Sequence, residues 1–160
     1  PYITARVEVG GTYEEGLNEG FRILADYIFG NNTKQADMAM TAPVITGGSE
    51  KIAMTAPVME RGRESARTVS FVMPFEYTLE TLPKPNNPRI EIVPQDARKV
   101  AVLRFSWFRD SARVAEKKQE LLSLLAKDAV EITGEPEYAG YNAPFTAPWL
   151  NRNEVMVEVD

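Results

Sequence analysis

Residues 2–30 read YITARVEVGGTYEEGLNEGFRILADYIFG, and the change of period inside this stretch decides the fold. Over the first eight positions Tyr2, Thr4, Arg6 and Glu8 alternate with Ile3, Ala5, Val7 and Val9, the period-two pattern of a half-buried strand. Gly10-Gly11 ends that strand. Thr12 then supplies a helix N-cap, Glu15 completes a capping box, and Leu17, Phe21, Leu24, Ala25 and Ile28 recur at helical spacing until Gly30 stops the helix. An amphipathic helix that follows a strand must bury its stripe on one face of a sheet, so the stretch predicts an α+β architecture with antiparallel strands.

The same order returns further along the chain. Residues 68–73 read as a short apolar strand closed by Pro74, and residues 82–88, LPKPNNP, as a stiff connection. Residues 89–93 and 99–105 are strands by pattern. Ser111 or Asp110 caps a second helix with Ala115, Leu122, Leu125, Ala126 and Ala129 on one face, and residues 138–141 and 155–159 supply the last strands. Strand, helix, strand, strand thus occurs twice. The reading is one domain over residues 1–160 with two halves, about 1–81 and 89–160, joined by the proline-rich connection.

Between the first helix and the apolar strand lies MAMTAPVITGGSEKIAMTAPVM, residues 38–59, in which the hexapeptide AMTAPV occurs at 39–44 and again at 53–58. Its proline suits an edge strand or a strand exit and excludes a helix interior. Gly47-Gly48 predicts a reversal between the copies, which would gather Met38, Met40, Met54 and Met59 along one hairpin as soft apolar surface for a flat ligand.

Composition excludes several function classes. A net charge of −5, with basic residues scattered, argues against nucleic acid or an anionic membrane as partner. The chain has no cysteine and no histidine, which removes disulfides, thiolate metal sites, the commonest general base and the usual nitrogen ligand of heme iron. Serine or cysteine triad chemistry is therefore excluded. Gly10-Gly11 and Gly47-Gly48 are isolated pairs rather than phosphate loops. Glu135, Glu137 and Glu154 remain as carboxylates, read here as solvated strand-edge side chains rather than catalytic groups. No apolar run reaches the roughly 18 residues of a bilayer span. Cytoplasmic placement is expected, with a periplasmic or membrane-anchored one left open because the chain starts at Pro1 rather than at methionine.

Four blocks carry a family resemblance: Tyr27-Ile28-Phe29-Gly30-Asn31-Asn32, Lys51-Ile52-Ala53-Met54-Thr55-Ala56-Pro57-Val58, Phe71-Val72-Met73-Pro74 and Arg152-Asn153-Glu154-Val155. In order and spacing they resemble the SOUL heme-binding protein family over nearly the whole chain, and the doubled AMTAPV looks more like its bacterial and archaeal branch. The resemblance implies a distorted, pseudo-symmetric antiparallel β-barrel of about eight strands with two flanking helices, a plan shared with the effector-binding domains of some transcription regulators. It also implies heme or a related tetrapyrrole as ligand. Met38 and Met40 fall where family members carry a Met-X-Met-Thr segment, the loop that with the first helix is implicated in contacting heme. The implied site is Met38, Met40, Phe21, Leu24, Phe71 and Met73 as apolar contacts, with Arg22 and Lys34 near the propionates.

Two departures bear on that site. Some family members are thought to ligate iron through a histidine near the first helix, a mode this chain lacks, whereas a purely hydrophobic mode survives. Where members commonly show Phe-Ser-Gly, this chain has Phe105-Ser106-Trp107-Phe108, so Trp107 is expected to line or partly close a cleft. The C-terminal block, residues 141–155, is read as structural, with Asn153 bonding irregular backbone and Arg152 pairing with Glu154. The sequence reading is a soluble, non-enzymatic binder of a small flat hydrophobic ligand. Its rival is an effector-binding or hydrolytic protein pairing a buried Glu with Tyr138 or Tyr141 in the same cleft, and a third reading is a ligand-free interaction module.

Overall fold

A computed structural model describes residues 1–35, 48–63, 66–142 and 146–160. In chain order the elements are β1 (Tyr2–Val9), α1 (Tyr13–Ile28), β2 (Asn32–Thr33), β3 (Val58–Arg63), β4 (Ala66–Val72), β5 (Lys84–Pro85), β6 (Ile90–Gln95), β7 (Val100–Phe105), α2 (Ser111–Lys127), β8 (Glu137–Gly140), a short 3-10 turn (Pro148–Leu150) and β9 (Asn153–Glu158). Among the described residues, seven strands form one antiparallel sheet in the order β6-β1-β4-β3-β8-β9-β7. Around α1 the strands run β1-β4-β3 and around α2 they run β7-β9-β8, so in each unit the last strand inserts between the first two. The β3–β8 ladder joins the units.

Only residues 96–99 connect β6 to β7, the two edges of the sheet. Laid flat, seven strands would set those edges about 29 Å apart at about 4.8 Å per spacing. Five Cα steps from Gln95 to Val100 reach no more than about 18 Å. The sheet therefore curls strongly, yet among the described residues β6 and β7 do not pair. What stands of the expected barrel, among the described residues, is an open, curled antiparallel sheet of seven strands with two helices.

Both helices pack on one face. Leu24, Tyr27 and Ile28 of α1 bury against Ala5, Val7, Val69 and Phe71, while Val114, Leu121 and Leu125 of α2 bury against Phe105, Tyr138, Val155 and Val157. Helix α1 approaches closely because Gly16 and Gly20 lack side chains, and a Cβ at Gly20 would lie 2.6 Å from Val69 Cγ2. Its capping box forms as expected, with Thr12 and Glu15 bonding each other's backbone N–H. Asp110 caps α2 by accepting from the Arg113 N–H at 3.1 Å.

Two expectations are corrected. The buried stripe of α2 is Val114, Leu121 and Leu125, whereas Ala115, Ala126 and Ala129 are exposed. Lys118 sits on that stripe and reaches Glu60, and a charge at a core-facing position hides the true period. The stretch 82–88 is docked rather than a bare connection: Leu82 is buried, β5 pairs with β2, and the Tyr27 hydroxyl donates to the Pro83 carbonyl at 2.7 Å. The first AMTAPV copy, with Met38 and Met40, lies outside the described residues. The second copy is an approach to β3, which begins at Val58 just after Pro57.

Candidate functional site

The second hexapeptide borders an apolar cleft. Ile52 N–H donates to the Ile28 carbonyl at 2.8 Å, and the Thr55 hydroxyl donates to the Val72 carbonyl, so the segment is pinned between the end of α1 and the end of β4. Beyond β4, Met73 N–H continues the ladder to the Ile3 carbonyl at 2.8 Å. These anchors leave a cleft of about 620 Å³ walled by Ile3, Ala53, Val72, Met73, Phe75 and Tyr77. Phe75 is 100% exposed at its mouth, and Met54, between the lining residues Ala53 and Thr55, is exposed. A fully exposed phenylalanine next to a cleft of this size gives up apolar burial that a ligand would restore.

The rim carries Glu76 and Asp96, and no Lys or Arg lines the cleft among the described residues. Tyr77 donates to Glu50 Oε1 at 2.8 Å, while Lys34 pairs with Glu50 at 3.4 Å. Burial, reinforced by Glu50, pushes the Tyr77 hydroxyl up to about 12, so it stays a donor through the physiological range.

Of the residues expected from sequence, Met73 lines this cleft and is itself largely buried. Phe21, Leu24 and Phe71 lie in the core beneath α1, where the Phe21 and Phe71 rings meet edge to face at 5.4 Å. Arg22 is exposed on α1, and Lys34 touches the cleft only through Glu50 and Tyr77. Phe75, Tyr77 and Ile3 were not expected. Their signal was present as Pro74-Phe75 at a strand exit, an aromatic placed where a chain leaves the sheet.

Carboxylates form a second constellation. Glu137 and Glu154 are buried, which corrects their reading as solvated, and Glu135 is exposed. Glu137 accepts two hydrogen bonds from Arg98, at 2.6 and 2.9 Å, and a third from Arg61. Burial pushes its carboxyl up, but the bonds from Arg98 and Arg61 outweigh that and hold it below the ordinary range. Glu154 accepts from Arg152 at 2.8 Å and from the Tyr141 hydroxyl at 2.8 Å. Sequence reasoning missed Glu60, buried between Arg67 at 2.9 Å and Lys118 at 3.4 Å, with Arg67 stacked over the Tyr13 ring. Asn153 fulfils its expected role: it donates to the Trp107 carbonyl at 3.2 Å and accepts from the Tyr138 hydroxyl at 2.7 Å. Among the described residues every buried carboxylate faces a cation.

Known proteins resemble the chain as follows. A family model described as SOUL heme-binding protein matches residues 1–158. Heme-binding protein 2 of Homo sapiens is 30% identical over 142 residues, covering 88% of this chain and 64% of the relative, so the chain spans a little under two-thirds of that relative's length. A solved structure described as a hydrolase from Listeria innocua aligns with a TM-score of 0.57 at 14% identity, covering 99% of this chain and 87% of that one. At that identity the likeness concerns the fold alone.

Proposed function

This chain belongs to the SOUL heme-binding protein family, and from that premise we propose that it binds heme or a related tetrapyrrole by apolar contact, without a histidine ligand. The observation that carries the proposal is the cleft of about 620 Å³ beside the second AMTAPV copy, with Met73 in its wall and Phe75 fully exposed at its mouth. Its size falls in the range of about 300–1,000 Å³ that small-molecule sites occupy. The walls fit a flat macrocycle. The acidic rim does not fit propionates, which are assigned to solvent, and Arg22 and Lys34 stand away from the cleft wall. When bound, the tetrapyrrole supplies its own redox and optical chemistry, and the protein supplies burial and orientation.

Met38 and Met40 enter the proposal as packing side chains. The pairing of Glu60, Glu137 and Glu154 with cations supports binding over hydrolysis, because hydrolysis by a carboxylate base needs that group free in a cleft. Hemin titrated into the protein is expected to give a Soret change that saturates at micromolar concentration, with a largely high-spin ferric spectrum. Phe75→Asp removes an exposed side chain, so it should leave folding intact and weaken hemin at least tenfold, the scale of about 1.4 kcal/mol. Replacing Met38 and Met40 by leucine should hold affinity within a few-fold, since volume-conserving apolar swaps cost under about 1.5 kcal/mol. A titration no different from that of an unrelated acidic protein defeats the proposal. A low-spin spectrum lost in the leucine pair would instead make a methionine the iron ligand.

A further inference from the structure

Trp107 stands at φ +79°, a left-handed backbone conformation that suits glycine and that a bulky residue adopts only under constraint. Three hydrogen bonds impose it. Trp107 N–H donates to the Pro148 carbonyl at 2.8 Å, and the Trp107 carbonyl accepts from Asn153 Nδ2 at 3.2 Å and Asn151 Nδ2 at 3.4 Å. The indole so presented is not spent on the core: it is half exposed, as is the neighbouring Phe108 ring, whose centroid lies 6.4 Å away.

The two rings and the first two turns of α2 border a shallow, open cleft of about 530 Å³, lined also by Asp110, Ala112, Arg113 and Glu116. Arg113 lines this cleft, and among the described residues its Nε, shielded from solvent, has no hydrogen-bond partner. A buried donor left unpaired is costly, and on a guanidinium it calls for an anionic acceptor. Of the neighbouring carboxylates, Asp110 accepts from the Arg113 backbone N–H, while Glu116 is mostly exposed, with Lys117 no nearer than 3.9 Å.

We propose that this cleft is a second ligand site, for a small planar aromatic carboxylate whose ring lies against Trp107 and Phe108 and whose carboxylate meets Arg113. It shares no lining residue with the cleft at Met73, so it stands or falls separately from the tetrapyrrole reading. The test uses the full chain with 2-naphthoate as probe and neutral 2-naphthalenemethanol as control, read by calorimetry and tryptophan fluorescence.

The wild type should bind naphthoate saturably and in preference to the alcohol. Trp107→Gly suits the backbone at this position, so its Tm should equal or exceed that of the wild type while naphthoate weakens at least about tenfold, as for an aromatic anchor. Arg113→Gln should bring naphthoate and the alcohol to the same affinity. Phe75→Asp should leave naphthoate unchanged. The proposal is overturned if the wild type shows no saturable binding, if Trp107→Gly binds as the wild type does or melts well below it, if Arg113→Gln keeps the preference for naphthoate, or if Phe75→Asp weakens naphthoate as much as Trp107→Gly does.

Discussion

Glu60 and Glu137 lie on the β3–β8 ladder, Glu60 opposite Tyr138 and Glu137 opposite Arg61, so the strand pair that joins the two units carries one buried carboxylate on each face. Each faces two cations, but the settings differ. Glu60, on the helix side, is 1% exposed and its partner Arg67 is 4% exposed, with Lys118 arriving from α2. Glu137, on the opposite side, meets Arg98 from the connection between β6 and β7 and Arg61, which is 48% exposed. The first cluster ties β3 and β4 of the first unit to α2 of the second in a dry site. The second latches the connection that forces the sheet to curl, and one of its partners stands in water. Burial of the partner, rather than the number of cations, should therefore decide what each cluster contributes.

The sharpest way to break this comparison is Arg67→Met. It strands a buried carboxylate, and removing one member of a buried pair typically costs about 3–5 kcal/mol. At about 2–4 °C per kcal/mol for a chain of this size, thermal unfolding should fall by roughly 6–20 °C. The same change removes the guanidinium stacked over Tyr13 and its bond to the Thr12 carbonyl, so the start of α1 should loosen as well. A loss below about 1 kcal/mol would mean that Lys118 alone satisfies Glu60, and the dry-site argument would fail.

Arg98→Met should cost less, about 1.5–3 kcal/mol, the scale of hydrogen bonds to a charged group, because Arg61 stays on Glu137. Its distinctive mark should be local. Amides of residues 96–99 should exchange faster with solvent while those of β3 and β4 keep their protection. If Arg98→Met costs as much as Arg67→Met, the two clusters are equivalent and partner burial is not the deciding variable.

The contrast also locates what was legible in the sequence. Alternation in residues 2–9 and the Thr12 to Glu15 box fixed β1 and α1 because both patterns are local. The α2 stripe was misread because Lys118 occupies a core-facing position, a choice that makes sense only once Glu60 is known to lie opposite. Glu60 itself, in VMERGR, has the look of a solvated strand residue, and its partner Arg67 lies across a turn of the hairpin. Ion pairs between distant elements leave no periodic trace. The ligand cleft was half legible: the hexapeptide and Met73 pointed to the region, while Phe75 acquires its meaning only from an exposure that no pattern encodes.

The smallest expected effect is that of Arg61→Met. A half-exposed arginine contributes under about 1 kcal/mol at neutral pH, since solvent screens its charge and its side chain gives up entropy to hold the pair. The change should nevertheless be visible in the acid limb. Glu137 has a folded pKa held below its ordinary 4.5, chiefly against burial, by the bonds from Arg98 and Arg61. Such a group contributes stability that is fully present above the unfolded value and is lost as pH falls through the folded value, because the unfolded chain takes up the proton first. Without Arg61 the folded value should rise toward 4.5, so the variant has less of this stability to lose. Melting curves of wild type and Arg61→Met should accordingly differ at pH 7, draw together as pH drops below 4.5, and meet once both carboxyls are protonated. A gap that stays constant through that range would place the effect of Arg61 in packing rather than in its bond to Glu137.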